Sequence, residues 1–162
     1  MIFTSSWDDG YALDLTVAAL LKENGLTGTF YVCPAPQHGR AMLMEGQIRT
    51  LSETFEIGAH TLSHSRLSAL MFGEAQREIE GSKAWVEQIT GKPCAMFCYP
   101  KGDFGVGAKT LVKQAGFRGA RTTEQWRSWY EWFEKVIWYG NKKGAYLYGT
   151  CSSNAGELAG HY

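Results

Sequence analysis

The amino-acid sequence predicts an α/β fold built on a parallel β-sheet. Six short β-type runs alternate with segments in which apolar residues recur at helical spacing, and glycine follows several of these segments. Such alternation favours a parallel sheet, either open or rolled into a barrel, because each parallel connection needs a crossover helix. The chain has 162 residues. A complete eight-stranded barrel usually needs at least about 200 residues, so any barrel formed here is incomplete.

The predicted elements follow one another with short connections. In order, the strands are MIFTSSW (1–7), TGTFYVC (27–33), FEIGA (55–59), AMFCY (95–99), FRGAR (117–121) and AYLYG (145–149). The helices run from Leu13 to just before Gly25, and then over Leu43–Thr54, Phe72–Thr90, Val106–Ala115 and Gln125–Lys143. The last of these carries four of the six tryptophans, and its aromatic stripe is more typical of core packing than of stacking on sugar rings.

Composition excludes several classes of partner. Sixteen basic residues balance sixteen acidic ones, so the chain has no basic field for nucleic acid or an anionic membrane surface. The N-terminal residues lack the pattern of an export signal, which makes a cytoplasmic location the expectation, although a chain trimmed of such a signal would look the same. The four cysteines are scattered and are expected to be reduced.

Two histidines lie four residues apart in IGAHTLSHSRL, the segment that begins in the third predicted strand. His60 and His64 are either solvated loop residues or ligands of a divalent metal, and one turn of helix would place both imidazoles on the same face. The spacing alone favours the loop interpretation. Thr61 stands where an H-E-x-x-H motif has its glutamate, so a metal site would need a third ligand and a general base from elsewhere.

The segment WDDG, at the end of the first strand, could supply both missing groups. Taken alone, Asp8 and Asp9 are more typical of a turn that caps the following helix. The carboxyl ends of parallel strands meet at one edge of a sheet, however, where the two aspartates would lie near His60. Two like charges at a buried edge are costly unless a positive group neutralises one of them. Together these residues favour a metal site.

The segments SWDDG, HTLSH and CYPKG, in this order and at these intervals, resemble the first three motifs of the polysaccharide deacetylases, the NodB-homology carbohydrate esterases of family 4. The resemblance runs from about Ile2 to Thr123 and includes GLTGTFYV, FEIGAHTLSH and AGFRGARTT. It implies a distorted, incomplete (β/α) barrel with about six to seven parallel strands. The corresponding domain would span residues 1–151, with a C-terminal tail at 152–162.

The resemblance also implies a role for individual residues. Asp9, His60 and His64 would bind a metal, and one carboxylate with two imidazoles suits Zn²⁺ best, then Co²⁺ or Ni²⁺. Asp8 would be the catalytic base, and the backbone N–H of Lys101 would stabilise the oxyanion. The implied reaction is hydrolytic removal of acetyl groups from N- or O-acetylated carbohydrate, of chitin-like or peptidoglycan-like type.

Pro100 and Asp103 are candidates for the substrate groove, although Asp103 could equally cap the next helix. Two positions differ from the family pattern. Cys98 stands where many members have an arginine that orients the base. Thr150 aligns with the general-acid histidine of the last motif and cannot protonate a leaving amine. The chain is also short after Thr123, as in an internally shortened relative.

Two other functions stay open at this level. The chain could keep a metal or sugar groove and act as a binding module without turnover, or it could deacylate a small non-sugar amide. A barrel that lacks strands also exposes a sheet edge, which either the tryptophan-rich segment or a second copy of the chain would cover. A homo-oligomer is therefore one expectation.

Overall fold

A computed structural model describes residues 5–35, 39–105 and 107–122. In these ranges strands and α-helices alternate along the chain. The strands are β1 (Ser5–Trp7), β2 (Gly28–Val32), β3 (Glu56–Ala59), β4 (Met96–Cys98) and β5 (Gly119–Arg121). The α-helices are α1 (Asp14–Glu23), α2 (Glu45–Leu51), α3 (Phe72–Thr90) and α4 (Ala108–Gln114). Short 3₁₀ helices form at Leu67–Ala69 and Pro100–Gly102.

The five described strands form one parallel sheet in the order β1-β2-β3-β4-β5. The sheet curls into a half-barrel, which confirms the predicted incomplete barrel. Five strands are fewer than the six to seven predicted. The sixth predicted strand, the tryptophan-rich helix and the C-terminal tail, with Thr150, all lie outside the described residues. The predicted domain boundary, the covering of the sheet edge and the homo-oligomer therefore stay predictions.

Helix α3 begins and ends at the predicted residues. Its end is set by Gly91, which adopts the left-handed conformation with φ 66° and caps the last turn. The other described helices are shorter than predicted at one or both ends. The predicted second helix, for example, began at Leu43, but the backbone of Met44 is extended and α2 starts only at Glu45. Local periodicity sets the existence of a helix, whereas its terminal residues depend on cap geometry.

The core lies on both faces of the sheet. On the helix-covered face Phe30, Ile79 and Phe97 are fully buried, and α3 packs on β3 and against α2 and α4. A smaller cluster on the inner face joins Tyr31 with Met96 and Cys98. Every residue of β2 is buried, as expected for an interior strand of a parallel sheet. Loops at the carboxyl ends of the strands therefore rest on a rigid support. Among the described residues, no helix is both long and apolar enough to span a membrane.

Candidate active site

Asp9 is the centre of a cluster at the carboxyl edge of the sheet. Its Oδ1 atom lies 3.3 Å from Nε2 of His60 and 3.0 Å from Nε2 of His64. Burial alone would raise the pKa of Asp9, but the hydrogen bonds and charges of the two imidazoles hold it well below its usual range. The three residues predicted from sequence as metal ligands thus converge, with ligand atoms within 4.8 Å of one another.

The two histidines reach Asp9 in different ways. His60 follows β3 directly and is 1% exposed, and its Nδ1 lies 2.8 Å from the carbonyl oxygen of Cys98. A carbonyl only accepts, so Nδ1 carries a proton and donates it, and Nε2 is the ring nitrogen that faces Asp9. His64 is not on the helical turn that its spacing allowed. It ends an irregular loop and has φ 56°.

Asp8 faces a different set of partners from its neighbour Asp9. The guanidinium of Arg121, at the end of β5, donates to Oδ1 of Asp8, and the Cys98 thiol lies 3.7 Å from Oδ2. Asp8 is buried, so this ion pair provides the positive charge that a buried carboxylate requires. Asp8, His60 and Cys98 also bring ligand-type atoms together. Because Asp8 is held by Arg121, the cluster around Asp9 is the better metal site.

Sequence reasoning missed Arg121, although a signal for it existed. Cys98 and Arg121 are register partners on the paired strands β4 and β5. Side chains of register partners point to the same face of a sheet, so an arginine at 121 reaches the region that an arginine at 98 would occupy. The Arg121 guanidinium also lies over the ring of Tyr31, with Cζ 4.9 Å from the ring centroid. Its position at the end of a predicted strand was a clue that it lies at this edge, whereas its pairing with Asp8 depends on strand register.

The third motif forms a tight turn after β4. Pro100 is buried, and Lys101 adopts φ 56° with its side chain exposed. The carboxylate of Asp103 neither caps α4 nor is free, because its Oδ2 accepts hydrogen bonds from the backbone N–H and the hydroxyl of Ser68. Asp103 therefore joins the third motif to the 3₁₀ helix that follows the second. Its role toward a substrate, like that of Pro100, stays a prediction.

Backbone strain is concentrated in the three motifs. Among the described residues, the non-glycine residues with positive φ are Asp9, Thr61, His64 and Lys101. Such conformations cost of order 1–3 kcal/mol each and persist where the surrounding structure holds them, most often at functional sites. All four belong to the motifs singled out from sequence. The strain thus marks the same edge of the sheet as the cluster of carboxylates and imidazoles.

A third carboxyl group, which sequence reasoning also missed, lies buried at the start of α1. Asp14 is 2% exposed, and its Oδ2 has no hydrogen-bond partner among the described residues. Burial, together with the negative charges of Asp9 and Asp8, raises the pKa of Asp14 to about 7. The carboxyl edge of β1 thus carries two paired carboxylates and one that is readily protonated.

The curled parallel sheet, with carboxylates and imidazoles gathered at the carboxyl ends of its strands, is the arrangement of a NodB-homology domain. The family model for polysaccharide deacetylase matches residues 2–120, and the chain belongs to this family. YxkH of Bacillus subtilis (strain 168), which carries the name of a polysaccharide deacetylase, is 24% identical over 121 residues. That alignment covers 74% of this chain and 43% of YxkH.

Solved structures show the same fold. BC0361, a polysaccharide deacetylase from Bacillus cereus, is 25% identical with a TM-score of 0.65, over 74% of this chain and 39% of BC0361. The Streptococcus pyogenes deacetylase PplD, solved in complex with acetate, is 17% identical with a TM-score of 0.67, over 74% of this chain and 54% of PplD. The chain therefore matches only about half or less of the length of these relatives.

Replacing Asp14 with asparagine should remove a pH dependence of stability in metal-free protein. Because folding raises this pKa from 3.8 to about 7, the stabilising effect of the protonated form is complete below about pH 4 and is lost as the pH rises to about 7. The whole loss amounts to at most about 4 kcal/mol. Urea unfolding from about pH 4 to pH 8 with a chelator measures it.

The neutral Asp14→Asn variant should have about the same free energy of unfolding as the unaltered chain near pH 4 and a larger one at pH 8. Glu23→Gln, which removes an exposed carboxylate at the other end of α1, is the matched control and should follow the unaltered chain throughout. Equal pH profiles for the Asp14→Asn variant and the unaltered chain would show that Asp14 titrates as an ordinary carboxyl group.

Proposed function

We propose that this chain is a metal-dependent hydrolase that removes acetyl groups from N- or O-acetylated carbohydrate of the chitin or peptidoglycan type. The observation that carries the proposal is the convergence of His60 and His64 on Asp9, with the separately paired Asp8 beside it. This convergence occurs in a chain that belongs to the polysaccharide deacetylase family. Substrate class and metal dependence come from the family resemblance and from the donor atoms together.

The donor atoms fit a transition metal. Asp9, His60 and His64 offer one carboxylate and two imidazoles, a set that suits Zn²⁺ and then Co²⁺ or Ni²⁺, whereas Mg²⁺ and Ca²⁺ prefer oxygen ligands. The hydrogen bond from His60 Nδ1 to the Cys98 carbonyl is the kind of outer contact that orients a ligating imidazole. Bound at these residues, such an ion would polarise the acetyl carbonyl and make a nearby water more acidic.

The chain's own residues would provide the remaining steps. Asp8 would accept the proton of the attacking water, since Asp9 is committed to the two histidines. Arg121 would hold the Asp8 carboxylate in position through its ion pair. The backbone N–H of Lys101, in the turn after β4, would donate to the acetyl oxygen as negative charge develops on it. Proton transfer to the leaving group has no assigned residue, because Thr150 lacks a suitable acid.

A binding module without turnover is the second candidate, and the threonine at position 150 favours it. Such a module would keep the metal site and the carbohydrate groove, so metal binding alone does not separate the two functions. Acetate release does separate them. Prolonged incubation with acetylated chito-oligosaccharides and with an O-acetylated sugar, without any acetate above the no-protein blank, would identify the binding module.

The unaltered chain should bind one equivalent of Zn²⁺ or Co²⁺. Asp9→Asn and His64→Ala should each lower the affinity by more than about 100-fold, since even loss of an outer contact to a ligand costs 10–100-fold. Calorimetric titration and elemental analysis measure this. Glu53→Gln, an exposed carboxylate after α2, serves as the control and should retain full binding. Unchanged affinity in both ligand variants would place the metal elsewhere.

Arg121→Gln should lower kcat about 10- to 100-fold and leave the metal content and KM nearly unchanged, because Arg121 contacts the base Asp8 and not the ligands. Arg121→Lys, which keeps a positive charge but not the planar fork, should recover part of the rate. Arg118→Gln, an exposed arginine just before β5, is the control. If kcat instead falls in proportion to the melting temperature across all three variants, the role of Arg121 is purely structural.

Esters should be hydrolysed in preference to amides. An alkoxide leaves more easily than an unprotonated amine, and loss of a positioned general acid typically costs about 10²- to 10⁴-fold. Acetate release should therefore be faster from O-acetyl than from N-acetyl substrates. It should be abolished by Asp8→Asn, and Thr150→His should largely restore hydrolysis of amides.

Fast amide hydrolysis by the unaltered chain would be contrary to this expectation. It would mean that another group, such as His161, protonates the leaving amine, and His161→Ala would then lower the amide rate selectively.

A further inference from the structure

The loop between the two histidines has an unfavourable backbone conformation. Thr61 and His64, at its two ends, adopt φ values of 63° and 56° although neither is a glycine. Positive φ is especially rare for a β-branched residue such as threonine. The side chain of Thr61 gives no compensation, since its buried hydroxyl has no hydrogen-bond partner among the described residues. Contacts from outside the loop must therefore hold the conformation that carries His64 to Asp9.

Glu78, on α3, supplies polar contacts to the middle of this loop. Its Oε2 accepts hydrogen bonds from the backbone N–H groups of Leu62, at 2.8 Å, and Ser63, at 2.9 Å. Its Oε1 accepts from the Ser63 hydroxyl at 2.8 Å. Hydrogen bonds to an ionised carboxylate are roughly twice as strong as neutral ones. One side chain thus satisfies two consecutive amides between the two strained residues.

The same face of α3 also makes an apolar contact with the loop. Gly81 lies three residues after Glu78, so the two positions are neighbours on the helix surface. A Cβ atom added at Gly81 would lie 2.6 Å from Cδ1 of Leu62, which means that the missing side chain leaves room for Leu62. Helix α3 therefore contacts the loop in two ways: the Glu78 carboxylate accepts its amides, and the absence of a side chain at Gly81 leaves room for Leu62.

The contacts of the two histidines differ in a way that makes His64 the dependent one. His60 follows β3, is fully buried and is fixed through Nδ1 by the Cys98 carbonyl. His64 lies at the far end of the strained loop, and it contacts Asp9 and the ring of His60. Its position is thus set by the path of the backbone through Leu62 and Ser63.

We propose that Glu78 is a positioning residue, which holds the Thr61–His64 loop in the conformation that brings His64 against Asp9. The hydrogen bonds of Glu78 go to Leu62 and Ser63, and neither residue is assigned to the metal or to catalysis. The consequence for metal binding rests on the proposed function, whereas the effect on the loop does not. Loss of this carboxylate should free the loop and withdraw His64, while His60 and Asp9 keep their places.

Two measurements on the full chain test this proposal. In metal-free protein, Glu78→Ala should speed hydrogen exchange at the Leu62 and Ser63 amides by at least about 10-fold, without a matching change in α3. Titration with Co²⁺ should show an affinity about 10- to 100-fold lower. Glu78→Gln keeps one acceptor oxygen and the side-chain volume, so its exchange rates and its Co²⁺ affinity should lie between those of Glu78→Ala and the unaltered chain. Glu80→Gln is the matched control, because this carboxylate is exposed on the same helix and bonded to Gln76.

A double-mutant cycle with His64→Ala separates positioning from general destabilisation. If Glu78 acts through His64, then Glu78→Ala should cause little further loss of Co²⁺ affinity once His64 is absent. Additive losses would overturn the proposal, as would unchanged exchange at the two amides. If the unaltered chain binds no Co²⁺, the proposed metal function fails, and the exchange rates still decide whether Glu78 holds the loop. Should Glu78→Ala not fold, the same comparisons apply to Glu78→Gln.

Discussion

Adjacent carboxylates at the buried end of β1 impose the electrostatic constraint on which the rest of this site depends. Asp8 and Asp9 are neighbours in sequence, and neither can stay ionised in a desolvated place without positive or hydrogen-bonding partners. In the folded chain each carboxylate has its own partners: Arg121 pairs with Asp8, and the imidazoles of His60 and His64 contact Asp9. In the part of the chain that the structure describes, Asp14 has no such partner at Oδ2, and burial with the nearby negative charges raises its pKa to about 7.

The separation of partners gives two neighbouring residues different chemistry. Asp9 lies between two imidazoles, which suits the proposed metal ligand, whereas Asp8 lies against a guanidinium, which suits the proposed base. The turn at Asp9, with φ 75°, is the local feature that lets consecutive side chains meet different groups. The strained loop of the second motif also receives contacts from outside the motif, from Glu78 on α3.

The arginine beside Asp8 shows how a sheet can provide one contact from either of two strands. Position 98, on β4, holds a cysteine, and its register partner on β5 is Arg121. Because register partners face the same side of a parallel sheet, an arginine on either strand can reach the same carboxylate. Cys98 stands where many members of the family have an arginine, and Arg121 on the neighbouring strand provides a guanidinium in the same region.

The sequence by itself determined the α/β class, the extent of α3 and the meeting of Asp8, Asp9 and His60 at the carboxyl edge of the sheet. These follow from periodicity, glycine caps and the meeting of parallel strand ends, all of which depend on neighbouring residues or on simple topology. Tertiary structure alone decided that His64 reaches Asp9 through a strained loop and that Arg121 pairs with Asp8. It also decided that Glu78 accepts the loop amides and that Asp14 is buried. Each of these contacts joins distant parts of the chain through packing and strand register, and a local pattern carries no signal for them.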